Sequence, residues 1–299
     1  MAEKATKITR VEIKGLWGRY DLVWNLRPDV NILSGINGSG KSTILKGVED
    51  ALESSQSTFR YRIHTATIDS IKLEFQNNMH FNQDKQVDNS EEFSPVAFDG
   101  LRHQYISTFE LSVNHIPHRG TDDWRTTLDI RMDDLQEKYV EYQLILSKRQ
   151  NEILRKKTDN AQKLALDINI TIDRFLEILD DCFAETDKRV EREKTKLAFL
   201  NGDFEISHLE LSSGEKMLFV ILMTVLVQDN HPSILLMDEP EISLHFDWQK
   251  KLIGYIRELN PNCQVILATH SPAIIMEGWM DHVFEVRDLI TLDRNAVPQ

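Results

Sequence analysis

Hydrophobic and polar positions alternate along Ile8–Ile13, where Ile8, Val11 and Ile13 are set among Thr, Arg and Glu, and the alternation predicts a β-strand. A second strand is predicted over Leu22–Leu26. The short apolar run Val30-Asn-Ile-Leu33 then stops abruptly at Ser34-Gly35. At Lys41 the period changes, with Ile44, Leu45 and Val48 spaced for one buried helical face. Strand-like alternation returns over Arg60–Phe75. Residues Asn77–Gly100 are polar and acidic and read as a loop or insertion, and Tyr105–Leu111 reads as a strand.

From Arg131 to Phe183 the pattern is helical. Leu135, Tyr139, Tyr142, Leu146 and Ile153 recur at steps of three and four, missing one beat at Arg149. After the turn signal Thr158-Asp159-Asn160, the positions Ala161, Leu164, Ile168, Ile172, Phe175, Leu179 and Cys182 repeat it. Two helices of about 25 residues would make a protruding antiparallel hairpin roughly 35–40 Å long. Two packed core helices are the plainer alternative. Lys148-Arg149 and Arg155-Lys156-Lys157 fall near the expected tip and offer a place for a partner or a nucleic acid.

Beyond the hairpin signal Asn201-Gly202, which separates Lys196–Leu200 from Asp203–Ile206, the chain turns strongly apolar. The rhythm is α/β: a helix over Gly214–Gln228, a strand over Ile234–Met237, a helix over Phe246–Leu259, and strands over Gln264–Ala268 and His282–Val286. The expected organisation is an α/β fold with residues 1–130 and 185–299 as two halves of one head. Residues 131–184 are then an inserted helical hairpin lobe.

Composition narrows the classes. The 299 residues carry 48 acidic against 35 basic side chains, a formal charge of −13, which argues against a surface that coats nucleic acid but leaves room for a local basic groove. Two cysteines, Cys182 and Cys263, exclude a disulfide scaffold or a cysteine-rich metal site and fit a reducing cytosol. The longest apolar run, Met217–Val227, is too short to cross a bilayer, and Met1-Ala-Glu-Lys lacks the apolar core of a secretory signal. A soluble cytoplasmic protein is expected.

Gly35-Ile-Asn-Gly-Ser-Gly-Lys41-Ser42 satisfies G-x-x-x-x-G-K-[ST] between a predicted strand and a predicted helix. Glycines there let backbone N–H groups curl around phosphates, and the helix N-terminus adds its dipole. Asn37, Gly38, Ser39, Gly40, Lys41, Ser42 and Thr43 are therefore the candidate nucleotide-binding residues, with Lys41 reaching the β- and γ-phosphates and the Ser42 hydroxyl binding Mg²⁺. The strand Ile234–Met237 ends in Asp238-Glu239-Pro240. Adjacent side chains in a strand face opposite ways, so the two acids can take different tasks: Asp238 holds Mg²⁺ and Glu239 poises the attacking water.

Leu211-Ser-Ser-Gly-Glu215 resembles the signature motif of ABC-type ATPases, L-S-G-G-Q in its commonest form. Ser213 and Glu215 depart from that form as they do in soluble SMC-like and overcoming-lysogenization-defect-like branches. Without the resemblance, Ser-Ser-Gly-Glu is a helix cap with a first-turn acid. The resemblance implies a P-loop ATPase head using ATP and Mg²⁺, in which Ser212, Ser213, Gly214 and Glu215 of one subunit cap the γ-phosphate held by another. It further implies a D-loop at Ser243-Leu244-His245, a switch histidine at His270, and a glutamine lid at Gln104, with Gln76 as its rival. Arg19 and Tyr20 lie where such heads place phosphate- or base-contacting residues, although Tyr20 packing in the first sheet is an equal alternative.

The long interval between Lys41 and Ser212, and Ser-Leu-His in the D-loop position, depart from the pattern of transporter nucleotide-binding subunits. The tract Asp238–His245 with Trp248-Gln249 and Thr269-His-Ser-Pro is similar to the ATPases of anti-phage modules such as the Septu PtuA type. The grouping His103, His115, His118, Asp122 and Asp123 reads as scattered surface residues rather than a nuclease centre. The expected role is a homodimeric sensing or regulatory ATPase whose effector is another chain. An SMC/RecF-like DNA-maintenance ATPase and a nucleotide-gated scaffold with little turnover are the alternatives.

Overall fold

The computed structural model describes residues 5–56, 67–84, 101–108, 115–117, 124–156 and 160–295. In chain order the strands and helices of the first third are β1 (Ile8–Leu16), β2 (Tyr20–Asn25), β3 (Val30–Ser34), α1 (Lys41–Gln56), β4 (Ser70–Phe75), β5 (His80–Asp84) and β6 (Arg102–Ser107). The middle holds β7 (His115–Pro117), β8 (Trp124–Thr126), α2 (Thr127–Arg155), α3 (Ala161–Asp167), α4 (Ile170–Phe183), β9 (Lys188–Glu191), β10 (Ala198–Asn201) and β11 (Phe204–Ile206). The last third holds α5 (Ser213–Leu226), β12 (Ser233–Asp238), α6 (Phe246–Leu259), β13 (Cys263–Ala268), α7 (Pro272–Met276), β14 (Val283–Glu285), α8 (Val286–Leu289) and β15 (Ile290–Asp293). The fold is mixed α/β, and the chain divides into two compact units.

The first unit comprises Met1–Ser107, Pro232–Pro240 and Asn262–Gln299. Its centre is a sheet in the order β14-β3-β13-β12-β6, with every neighbouring pair parallel. All six residues of β12 and of β13 are buried, as expected of parallel strands covered on both faces. A second, antiparallel sheet runs β15-β2-β1-β4-β5, and α1 packs with both sheets around one core that includes Ile13, Trp24, Leu45, Leu73 and Ile266. Gln264, fully buried on β13, ties the sheets together. Its amide NH₂ donates to the carbonyls of Ile8 (2.8 Å) and Arg27 (2.8 Å), and its amide oxygen accepts the Ile8 N–H (2.9 Å).

The second unit comprises Thr108–His231 and Glu241–Pro261. Its core helix is α5, twelve of whose fourteen residues are buried. α2 begins in a capping box between Thr126 and Asp129 and buries Met132, Leu135, Tyr139, Tyr142 and Leu146. Gln136, 1% exposed, clamps α2 to the Leu197 backbone through both its amide NH₂ (2.7 Å) and its carbonyl (2.9 Å). The three strands β9, β10 and β11 form an antiparallel sheet, turning at Gly202 with φ 58°.

Three expectations change here. His80–Asp84, read as part of a loop, is the strand β5 paired with β4 through a turn in which Asn78 takes φ 61°. It escaped the pattern because Phe81 is its one apolar residue. The long second helix of the expected hairpin is two helices, α3 and α4, separated at Ile168–Asn169. Finally, α2 buries one face from Leu128 to Leu146 and packs against α5 as well as α3, so over that stretch it does not stand free as an arm. Arg149, counted among the tip charges, is paired with Asp229, its Nη1 2.9 Å from Oδ1.

Replacing Gln264 by Leu keeps the volume but takes the side-chain partner from the Ile8 N–H and the Ile8 carbonyl, while the Arg27 carbonyl keeps the Asn31 amide. We expect a loss of about 2–6 kcal/mol, at roughly 1–3 kcal/mol for each of the two unsatisfied groups, measured by urea unfolding.

Candidate nucleotide site and signature segment

Three adjacent parallel strands, β3, β13 and β12, end at one level. Leu33 and Asp238 both pair with Ala268 across the register. The carboxyl ends of such strands are where open α/β sheets place ligands. Here they deliver the Gly35–Gly40 loop, the Asp238-Glu239 pair and Thr269-His270. The loop needs glycine for two distinct reasons. Gly38 takes φ 78° with open space around it, whereas at Gly40 (φ 100°) a Cβ would also meet the Trp17 ring at 2.8 Å.

Lys41 opens α1 with its side chain 5% exposed. Its ammonium donates to the carbonyls of Gly35 (3.0 Å) and Ile36 (3.5 Å) and lies 3.5 Å from Glu239 Oε1. The other carboxylate oxygen of Glu239 is 2.7 Å from His270 Nδ1, and that imidazole is 56% exposed. Glu239 itself sits in the left-handed region (φ 49°), its N–H donating to the Ala268 carbonyl at 2.9 Å. A non-glycine residue held there marks a locally constrained backbone. Beside this chain of charges the Ser42 hydroxyl donates to Asp238 Oδ1 at 3.0 Å, and Asp238 is buried. The residues fit a nucleoside triphosphate with a hard cation: N–H groups and an ammonium for phosphate oxygens, and a hydroxyl with a carboxylate as oxygen ligands.

In the second unit Ser212 caps α5. Its Oγ accepts the Glu215 N–H (3.3 Å), and its own N–H donates to Glu215 Oε2 (2.8 Å). Glu215 is 1% exposed, and the Lys188 ammonium is 2.9 Å from both its oxygens, with the Thr186 hydroxyl donating at 2.8 Å. Burial pushes the carboxyl pKa up, but these donors together outweigh it and hold it below the ordinary value. Gly214 is required by close approach: a Cβ there would stand 2.4 Å from the Ser243 carbonyl oxygen. The signature turn and the segment Ser243-Leu244-His245 therefore touch backbone to backbone. Gln249 fastens that segment by donating to the carbonyls of Glu241 (3.2 Å) and Leu244 (2.9 Å).

A phosphate loop, a paired strand-end acid couple and a capped serine–glycine helix start are features of nucleotide-hydrolysing P-loop domains. The family described as "AAA domain, putative AbiEii toxin, Type IV TA system" matches residues 30–277. The chain belongs to this family. It is similar to the Septu protein PtuA of Bacillus thuringiensis, with 23% identity over 304 residues, 90% of this chain and 72% of that protein. It is also similar to the Retron Vc95 probable ATPase of Vibrio cholerae, with 26% identity over 48% of this chain and 34% of that protein. Among solved structures, the SMC head domain from Thermotoga maritima aligns over 93% of this chain and 94% of that one at 13% identity, with a TM-score of 0.49. No helix among the described residues is long and apolar enough to cross a membrane.

Within this ATPase-type domain the residues of the phosphate loop, Asp238, Glu239 and His270 come together as the strand order requires. Gln104 does not join them. It pairs with Leu235, three residues before the Asp238 level, and its amide donates to the His103 carbonyl (2.7 Å). The residue that β6 brings alongside Asp238 is Ser107, because β6 begins and ends earlier than its sequence pattern predicted. Gln76 lies at the end of β4 and donates to Thr6 Oγ1 (2.6 Å). The Arg19 guanidinium is engaged by Asp293, and Tyr20 stacks beneath it at 4.6 Å. The aromatic that touches the phosphate loop is Trp17, which no motif singled out; only its position in the Gly-Leu-Trp-Gly turn before the loop hints at it. Of the histidine–aspartate grouping, His118, Asp122 and Asp123 lie outside the described residues, and burial pushes the His103 pKa down, which suits a neutral structural imidazole.

Lys188→Met leaves Glu215 buried without its cation and is expected to cost about 3 kcal/mol, most of which Lys188→Met combined with Glu215→Gln should restore. Because the folded pKa of Glu215 is lowered, its contribution is complete above the ordinary carboxylate range and is lost as pH falls below it. Urea unfolding of the wild type and the double variant as a function of pH should therefore converge at acidic pH.

Proposed function

We propose that the chain is a cytoplasmic, Mg²⁺-dependent ATPase that pairs head to tail around ATP and serves as the sensing or regulatory subunit of an anti-phage defence assembly whose effector is another chain. The observation that carries the hydrolytic part is the connected set Lys41–Glu239–His270 beside Ser42–Asp238, at the ends of three adjacent parallel strands. In this reading Lys41 and the N–H groups of residues 37–43 bind the phosphates, and Ser42 and Asp238 hold the cation, which neutralises phosphate charge when bound. Glu239 takes the proton of the attacking water, and His270, 2.7 Å from its far oxygen, fixes the carboxylate's orientation.

The dimeric part is supported by the signature turn. Ser212 Oγ accepts the Glu215 N–H, so its own hydroxyl proton is available for a phosphate oxygen of a second subunit. Glu215 is wholly occupied by Lys188, Thr186 and the Ser212 N–H, so in this reading it shapes the turn and does not contact the nucleotide. Ser213, Gly214, Ser243, Leu244 and His245 would line the same seam. Similarity to PtuA over 90% of this chain, and to a retron ATPase, supports the defence role. Residues 131–184, with exposed Arg155 and Lys156, are the proposed partner-facing lobe.

Lys41→Ala should weaken ATP binding by about 3 kcal/mol, or ~100-fold, through loss of a charge-assisted contact. Glu239→Gln should bind Mg-ATP and stop at the chemical step; normal turnover in that variant refutes the assignment of the base. Wild-type binding without turnover would instead favour a nucleotide-gated scaffold. In sedimentation experiments, Glu239→Gln should dimerise on addition of Mg-ATP, and a second change, Ser212→Arg, should abolish the response while leaving ATP binding intact.

A further inference from the structure

Within the first unit, the turn joining β1 to β2 leans on the phosphate loop. Trp17 takes φ 55°, a conformation that a bulky residue keeps only when its surroundings fix it, and 41% of its surface is exposed. The edge of its ring lies 2.8 Å from where a Cβ on Gly40 would be. An exposed aromatic face at the rim of a phosphate loop is a platform for a nucleobase.

What holds this turn in place comes from the other end of the described chain. β15 pairs with β2, and Asp293 takes the Arg19 guanidinium in a two-pronged contact, Nε to Oδ1 at 2.9 Å and Nη2 to Oδ2 at 2.8 Å. The Arg294 N–H then donates to the Arg19 carbonyl at 2.9 Å. The Arg294 guanidinium bridges the two shoulders of the turn, reaching Asp21 Oδ1 at 2.7 Å and Asp69 Oδ2 at 3.0 Å. Asp21 Oδ1 also accepts the Gly15 N–H at 2.9 Å, and the Trp17 N–H donates to the Thr67 carbonyl at 2.6 Å. Removing Arg294 leaves two carboxylates facing the turn without a cation between them. Beyond the β2–β15 pairing, these contacts fasten Arg19 and the flanking residues Gly15, Asp21 and Asp69 around the turn that carries Trp17.

We infer that Asp293 and Arg294 are positioning residues for the nucleotide base: a clasp on the last strand that sets the Trp17 platform and so governs affinity for a nucleoside triphosphate, while the phosphate loop governs affinity for the phosphates alone. This rests on the nucleotide-site reading above. The clasp predicts a split that a general loss of structure would not produce. Arg294→Gln and Asp293→Asn should each weaken Mg-ATP binding about tenfold, the loss expected of one base stack. Binding of Mg-tripolyphosphate, which has no base, should be unchanged in both. Trp17→Ala should show the same split, and combined with Arg294→Gln should lose no more than Trp17→Ala alone.

Calorimetric titration of the full chain with both ligands is the experiment, and the tripolyphosphate arm reports on whether each variant is folded. Unchanged ATP affinity, equal losses for both ligands, or additive losses with Trp17→Ala would each overturn the clasp. If the wild-type chain bound tripolyphosphate and ATP equally well, Trp17 would not be a base platform and the clasp would have nothing to position. If it bound neither, the nucleotide-site reading would fail first.

Discussion

A buried ammonium group at the start of a helix sets the terms for the first unit. Lys41 is 5% exposed and stands at the N-terminus of α1, where the helix dipole already contributes partial positive charge. Neither source of charge can be left uncompensated inside the protein. The structure answers with two loop carbonyls and one oxygen of Glu239, a carboxylate shared in turn with His270. Every one of these partners is delivered by a strand end: the carbonyls by β3, Glu239 by β12, His270 by β13. The parallel register that aligns Leu33, Ala268 and Asp238 is thus the geometric condition for neutralising Lys41. The glycine-bearing loop and the N-terminus of α1 supply backbone N–H groups, the donors that suit a polyanion.

Outside that site, buried amides do the joining that apolar packing leaves unspecific. Gln264 makes three hydrogen bonds that index β13 against β1 and the Arg27 turn. Asn31, also fully buried, closes that same turn by accepting the Arg27 N–H and donating to its carbonyl. In the second unit Gln136 makes the corresponding two-way contact with Leu197. A primary amide can satisfy a peptide's donor and acceptor at once, so each of these residues locks one register and penalises its neighbours by leaving polar groups unpaired.

The signature segment shows how strongly local packing constrains a motif. Gly214 is there because the Ser243 carbonyl leaves no room for a Cβ, and Glu215 is there because it closes the cap and meets Lys188. Both constraints give Ser212 one defined orientation at the head of α5. In the proposed dimer, a turn that offered hydroxyls and N–H groups to a second subunit would need that rigidity before any nucleotide arrives.

Sequence alone was enough for the features whose physics is local. The phosphate loop is legible because only glycines permit its backbone. The strand β12 is legible because four apolar residues ending in two acids suit a covered parallel strand, and the Asn201-Gly202 hairpin because its turn demands positive φ. These local signals also carried the α/β class, the ATPase family and the likeness to defence ATPases. Tertiary structure decided whatever depends on partners far along the chain. Gln104 carries a plausible motif role but sits three residues short of the site, since strand register is set by the neighbouring strand and not by the residue itself. Arg19 is claimed by Asp293, which lies 274 residues away, and Trp17 meets Gly40 because of how a turn folds back. Glu215 in the signature becomes intelligible only with Lys188 beside it. Long-range pairing of charges and close backbone approach leave no periodicity behind, and that is why the chain order could place the site but not complete it.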